Sequence, residues 1–170
     1  MSYPLVSINK LTDQQARKAD TNQCFRCDKV ANADSEKKHL NKILIGPSSG
    51  TYWSAIQKKI AESSTCEKKK IRSNVVVALE VTLTHAPNAN VDVSFQETWE
   101  KERLEWLNNV FGAENIVAVT CCYEQHCPRI EALVVPLLHG ELNSRHFFKE
   151  CLSAMKLQNE LIDVKDGVGL

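Results

Sequence analysis

The side chains best suited to chemistry in this 170-residue chain lie between positions 116 and 137. Two apolar runs, 116–119 and 132–137, flank a polar segment with a bend at Pro128, which predicts two paired strands joined by a short connection. Thiols, an imidazole and carboxylates are the groups that bind transition metals in proteins. The segment and the strand after it supply several of them: Cys121, Cys122, Glu124, His126, Cys127 and Glu131.

The seven cysteines follow no regular spacing. In a reducing compartment such a set favours free thiols or a metal site over a disulfide framework. Cys24 and Cys27 are spaced as a Cys-x-x-Cys pair, and thiolates prefer zinc. Cys121 has the parity of a buried strand position and Cys151 falls on the apolar face of a helix, so both are expected in the core.

Composition places the chain among ordinary globular proteins. The charged residues balance, with 21 Lys and Arg against 21 Asp and Glu, which argues against strong non-specific DNA binding. No apolar stretch approaches the roughly 18 residues that span a bilayer, and the N-terminus lacks a signal-peptide pattern. We therefore expect a cytoplasmic protein with no membrane partner, in which the Lys68–Lys70 run is more simply a solvated surface than a DNA contact.

Hydrophobic periodicity predicts strands at 3–8, 75–84, 116–122 and 131–137 and helices at 52–62, 98–111 and from Ser144, the expected N-cap. The strand at 75–84 alternates, with apolar odd positions and a polar face of Glu80, Thr82 and Thr84. These elements predict an α+β fold, an antiparallel sheet of about five strands with helices packed mainly on one face. We expect one domain over residues 1–170.

The chain resembles Mob/Pre-type (MobV-like) relaxases, which act in plasmid mobilisation and DNA recombination and belong to the HUH endonuclease class. Their hairpin reads His-x-Asp-Glu-x-x-Pro-His-x-His before a strand that ends near Val-Val-Pro, and Pro128 and Pro136 match its prolines. Further matching blocks follow in the family's order over nearly the whole chain: Arg26, Asn32–Asp34, Leu40–Asn41, Leu44, Gly46, Ala78–Val81, Trp106–Val117 and Gly140–Phe147. Members of the family usually continue beyond the equivalent of residue 170.

The resemblance implies a domain that binds a plasmid origin and nicks one strand with a divalent metal such as Mn or Mg held by three His. An N-terminal His, or a Tyr in related families, is the attacking group. In this chain the equivalent positions carry other residues. The nucleophile position is Gln23, the three metal positions are Cys122, Arg129 and Glu131, the Asp-Glu pair is Glu124 and Gln125, and Glu80 is a remnant of an acid on the central strand.

The leading prediction is therefore a relaxase-derived DNA-binding domain without a cofactor, in which the active site is degenerate and metal-dependent nicking is lost. Arg129 is always cationic and opposes a second positive ion, and we expect it to share a sheet face with Cys122 and to pair with Glu131. The residues predicted to line the DNA-facing side, for single-stranded or plasmid-origin DNA, are Arg26, Asn32, Asn41 and Lys42.

Two alternatives remain open at this point. The first is a divergent nickase that uses Cys122, Glu124, Glu131 or His126 as ligands and Tyr123 as the nucleophile. The second is a zinc-stabilised module that binds a protein partner, because the family fold brings the Cys-x-x-Cys region and the hairpin together across a cleft. Its candidate ligands are Cys24, Cys27, Cys122, His126 and Cys127.

Overall fold

The computed structural model describes residues 5–19, 35–47, 50–63, 71–86, 90–123 and 127–167. The predicted residues Gln23, Cys24, Arg26, Cys27, Asn32, Glu124, Gln125 and His126 lie outside these ranges. The strands are β1 (Leu5–Thr12), β2 (Lys42–Ile45), β3 (Val76–Thr84), β4 (Ile116–Cys122), β5 (Arg129–Val134), β6 (Leu137–Leu138) and β7 (Glu141–Leu142). The helices are α1 (Asp13–Ala19), α2 (Tyr52–Glu62), α3 (Val93–Phe111) and α4 (Ser144–Gly167), with 3₁₀ turns at Ser35–Leu40 and Ala113–Asn115.

Five antiparallel strands form the main sheet in the order β1-β3-β5-β4-β2, and β6 and β7 form a separate small hairpin. The predicted hairpin at 116–137 is the β4–β5 pair, which lies in the interior of the sheet. Strand β5 is therefore hydrogen-bonded on both sides, to β3 and to β4. This arrangement is the α+β fold predicted from the sequence.

The larger core lies between the sheet and the pair α3 and α4. It contains apolar side chains from the three central strands, such as Val81, Val119 and Ile130, together with Trp99 and Phe111 of α3. These strand residues are fully buried, which matches the alternation read from the sequence. The two long helices thus cover one face of the sheet, as predicted.

A second core occupies one end of the opposite face. Ala16 of α1 and Ile56 of α2 pack there against Ala78, Ala118 and Leu133. These three strand residues share a face because Ala118 pairs with Leu133, and Leu133 pairs with Glu80 two positions from Ala78. Helices α1 and α2 therefore cover the apolar end of this face, and the polar positions lie further along the same strands.

Capping side chains explain where two helices begin. Helix α3 starts at Val93, before the predicted position 98, because the Asp92 carboxylate accepts a hydrogen bond from the Phe95 amide at 2.7 Å. Val93 itself is 69% exposed, so the apolar pattern does not mark this first turn. Helix α4 is capped by Asn143, which accepts from the His146 amide, and not by Ser144 as predicted.

No helix among the described residues is long and apolar enough to cross a membrane.

Truncation of a central core residue tests this packing. We expect Leu79→Ala to lower the free energy of unfolding by about 2–5 kcal/mol, because Leu79 is fully buried between the sheet and its helices. The matched control is Leu152→Ala on α4, where the side chain is 41% exposed and the loss should stay below about 0.5 kcal/mol. Urea denaturation followed by circular dichroism measures both, and equal losses would contradict the assigned core.

Candidate functional site

The register of the central strands collects polar side chains on the sheet face that lies opposite α3 and α4. Arg129 on β5 pairs with Thr84 on β3 and with Cys122 on β4. Glu131, two residues further, pairs with Thr82 and Thr120. Paired residues in antiparallel strands project to the same side of the sheet. The predicted shared face of Cys122, Arg129 and Glu131 is therefore confirmed.

Arg129 and Glu131 form the predicted ion pair. Arg129 Nη2 lies 3.1 Å from Glu131 Oε1, and their side chains are 28% and 22% exposed. The Nε–H of Arg129 is buried and has no hydrogen-bond partner among the residues that the structure describes. A buried donor left unsatisfied costs about 1–3 kcal/mol. The ion pair holds the guanidinium through Nη2, and the Nε donor takes no part in it.

This face does not fit a divalent metal. A dication about 4 Å from the Arg129 guanidinium would be opposed by roughly 8 kcal/mol at an effective dielectric constant of about 20. Glu131, the one carboxylate among the three family-equivalent positions, is already in contact with that guanidinium. Across the part of the chain that the structure describes, no cluster of three or more His, Cys, Asp or Glu side chains could hold a metal ion.

The cysteines divide into two classes. Cys121, Cys127 and Cys151 are free thiols, whereas Cys122 is disulfide-bonded. The expectation of free thiols is therefore wrong at Cys122, and in this state the residue offers no thiolate to the zinc or metal sites considered for it. Cys121 and Cys151 are fully buried as predicted, and burial raises their thiol pKa values to about 12 and about 11.

Tyr123 is not placed as a nucleophile. Its side chain is fully buried, and its hydroxyl donates to Glu100 Oε1 on α3. Burial, and then the hydrogen bond to Glu100, raise the pKa of Tyr123 far above its ordinary value, so the phenol stays neutral. A neutral, buried phenol bound to a carboxylate cannot attack a phosphodiester, which argues against the nickase alternative that relies on it.

Two residues predicted to contact DNA hold this part of the fold together. Asn41 Oδ1 accepts a hydrogen bond of 2.7 Å from the Tyr123 amide, which fixes the end of β4. Lys42 pairs with Cys121, so its side chain projects to the α3 side of the sheet, where its Nζ lies 2.9 Å from Glu100 Oε1. The side chains of Lys42 and Arg129 therefore project from opposite faces of the sheet.

Glu100 links three parts of the fold, and its contacts are not evident from the sequence. Only 9% of it is exposed, and it joins α3 to the edge strand β2 through Lys42 and to the end of β4 through Tyr123. A signal was present, because Glu100 follows Trp99 and lies seven residues before Leu107, on the buried side of the helix. An acid in that position needs a partner, although the sequence does not say which one.

Glu80 and His85 make local contacts. Glu80 Oε1 accepts a weak hydrogen bond from Asn9 Nδ2 at 3.4 Å across the β1–β3 pair. His85 packs edge-on against the Phe95 and Trp99 rings, with centroids 4.9 and 5.7 Å away. Trp99 itself is a core residue, because only 5% of it is exposed.

Comparison with known proteins identifies relatives over most of the chain. The Mob_Pre family model, described as plasmid recombination enzyme, matches residues 1–166. A 65 kDa protein of Zymomonas mobilis subsp. mobilis is 27% identical over 163 residues, which cover 91% of this chain and 27% of that protein. A plasmid recombination enzyme of Bacillus sp. is 25% identical over 149 residues, 86% of this chain and 34% of that protein. The chain thus spans about a quarter to a third of these relatives.

Solved structures of the MobM relaxase domain share the fold. An Mn-bound MobM complex with a 22-nucleotide pMV158 oriT DNA superposes with a TM-score of 0.79 at 20% identity, and the match covers 99% of this chain and 88% of that chain. A second Mn-bound complex, with a 3′-thiophosphate DNA, gives a TM-score of 0.74 over 86% of this chain and 76% of that chain. Manganese is bound in those complexes, whereas in this chain the guanidinium of Arg129 disfavours a dication on the polar face.

Thiol reactivity tests the burial of the cysteines. At about pH 8 we expect a maleimide reagent to modify Cys127 quickly and Cys121 and Cys151 only on unfolding, because burial keeps the last two thiols neutral and inaccessible. Peptide mapping by mass spectrometry gives the rate at each site. Modification of Cys121 at the rate of Cys127 in the folded protein would contradict the structure.

Removal of the Tyr123 hydroxyl tests its bond to Glu100. Tyr123→Phe should lower the free energy of unfolding by about 1.5–3 kcal/mol at neutral pH, because the hydrogen bond is to a charged group. The pKa of Tyr123 is raised in the folded state, so its stabilising effect is complete below about pH 10 and declines above it as the unfolded chain ionises.

Urea titrations of wild type and Tyr123→Phe across this pH range should therefore show the stability gap narrowing as the pH rises above about 10. A gap that stays constant into the alkaline range would contradict a neutral phenol in the folded protein.

Proposed function

The chain belongs to the Mob_Pre family of plasmid recombination enzymes, and from that premise we propose that it is a relaxase-derived domain that binds single-stranded plasmid DNA but has lost metal-dependent nicking. It acts, on this proposal, in the cytoplasm, where plasmid DNA is found. The observation that carries the proposal is the Arg129–Glu131 ion pair on the polar sheet face.

The loss of nicking follows from electrostatics. A metal ion assists phosphodiester cleavage as a Lewis acid, and its ligands must leave it a site free of fixed positive charge. Here a permanent cation, Arg129, lies beside Glu131, the one carboxylate among the three family-equivalent metal positions. A guanidinium does not coordinate a metal ion, and a single carboxylate that is already paired with it does not make up for the three nitrogen ligands of the family motif.

The proposed loss of nicking also rests on the lack of an attacking group. The family resemblance puts Gln23 at the nucleophile position, and an amide is neither a nucleophile nor a base. The remaining candidate, Tyr123, is buried, neutral and bonded to Glu100. On this proposal the chain therefore lacks a metal site and a nucleophile, which are both required for strand transfer.

DNA binding is proposed on different grounds. The MobM domain that shares this fold was solved bound to oriT DNA. In this chain the polar face retains hydroxyl groups at Thr82 and Thr84 beside Glu131 and Arg129, side chains that commonly contact phosphates. With a net charge of zero, binding must depend on a few local cations and should be weak at high salt.

Strand cleavage and binding can be tested with the same probe. We expect the chain to bind a labelled single-stranded 22-nucleotide pMV158 oriT oligonucleotide, which matches in length the oriT DNA solved with MobM, at low salt and to leave it intact with Mn²⁺ or Mg²⁺. Circular single-stranded phage DNA, which offers many sequences, should also remain uncut. Denaturing gels report cleavage and any covalent protein–DNA adduct, and fluorescence anisotropy reports binding.

The matched control is a nicking-competent relaxase of the family under the same conditions. Metal-dependent cleavage by this chain would contradict the loss of nicking, and absence of binding at low salt would contradict the DNA-binding role.

A further inference from the structure

The poor fit of a metal on the polar face has a positive counterpart, because Arg129, a fixed cation, stands at a position that the family resemblance assigns to a metal ligand. We propose that Arg129 holds a DNA backbone phosphate on this face in place of a metal ion, and that Glu131 occupies the guanidinium until the phosphate arrives. The proposal rests on the DNA-binding function proposed above. It adds which group contacts the DNA, and that this contact does not require a metal ion.

The position of Arg129 is fixed by the sheet. It is the first residue of β5, and its neighbours Thr84 and Cys122 lie in strands hydrogen-bonded on either side. The backbone of an interior strand is held by hydrogen bonds on both sides, so less conformational entropy is lost when its side chain binds a ligand. Both partners of the ion pair remain partly exposed, which leaves the guanidinium reachable from solvent.

The ion pair leaves the guanidinium incompletely satisfied. Nη2 contacts Glu131, but within the described part of the chain the Nε–H has no hydrogen-bond partner. A guanidinium binds a phosphate through two parallel N–H···O bonds, a geometry that uses donors such as Nε and Nη2 together. A turn of the side chain from Glu131 to a phosphate therefore gives the Nε–H a hydrogen-bond acceptor.

Glu131 sets the strength of this contact. Its carboxylate competes with the phosphate for the same guanidinium and repels the incoming negative charge. The free protein thus carries a neutralised site, and the DNA must displace an internal anion to bind. Replacing Glu131 with a neutral residue should therefore strengthen DNA binding. If Glu131 were instead a metal ligand on which DNA binding depended, the same replacement would weaken the binding.

The experiment measures binding of a labelled single-stranded 22-nucleotide pMV158 oriT oligonucleotide by anisotropy, with excess EDTA and with Mn²⁺, across a salt series. The variants are Arg129→Gln, Arg129→Lys, Glu131→Gln and the double substitution. Arg145→Gln is the matched control, because Arg145 is an exposed cation on α4, on the other side of the sheet. Circular dichroism checks that each variant is folded.

We expect EDTA to leave wild-type binding unchanged. Arg129→Gln should weaken it about tenfold and reduce the salt slope by about 0.7, the value for one phosphate contact on a single strand. Arg129→Lys should recover part of the loss, Glu131→Gln should tighten binding a few-fold, and the double variant should match Arg129→Gln. Loss of binding in EDTA, or an Arg129→Gln effect no larger than that of Arg145→Gln, would overturn the proposal and leave the DNA-binding role intact.

A second readout separates the two proposals if the wild type binds no DNA. The Arg129 Nε–H signal in an NMR spectrum is assigned by its absence from Arg129→Gln and is then followed during titration with inorganic phosphate. A shift that Glu131→Gln enhances supports an anion site at Arg129 and places the failure in the DNA-binding role. A signal that phosphate does not move overturns the anion site as well.

Discussion

The register of β5 between β3 and β4 is the constraint on which the site depends. It places Arg129 and Glu131 on one face of the sheet interior, with Thr84 and Cys122 alongside, and leaves the guanidinium 3.1 Å from the carboxylate. A slip of one residue would turn both charges into the core under α3, where they could not be solvated. The same register that buries Ile130 and Ala132 therefore fixes the charges on the opposite face.

A polar network centred on the buried residues Glu100 and Tyr123 holds the neighbouring part of the fold. Glu100 binds Tyr123 at the end of β4 and Lys42 on the edge strand β2, and Asn41 binds the Tyr123 amide. Because each charge in this network has a partner, its burial is tolerated, and removing one partner would leave another unsatisfied. The network anchors the edge strand and the start of the β4–β5 connection to α3, so the polar face is built on a rigid support.

Periodic elements could be predicted from the sequence, and the side-chain partners could not. Helix α2 has the predicted bounds, and the central strand begins one residue later than expected, because apolar spacing records which face is buried. The early start of α3 depends on a cap at Asp92, outside the periodic segment. The Arg129–Glu131 pair was predictable because it is local, two residues apart on one strand. Glu100 with Lys42 was not, since that contact joins distant segments.

The central claim is that a fixed cation has taken the place of a metal ion on the polar face. Electron paramagnetic resonance during Mn²⁺ titration of the purified chain tests it most directly, because bound manganese loses the sharp signal of the free ion. The account predicts no saturable site in the wild type, since the guanidinium of Arg129 opposes a dication. A stoichiometric Mn²⁺ site that is lost in Glu131→Gln would contradict the account.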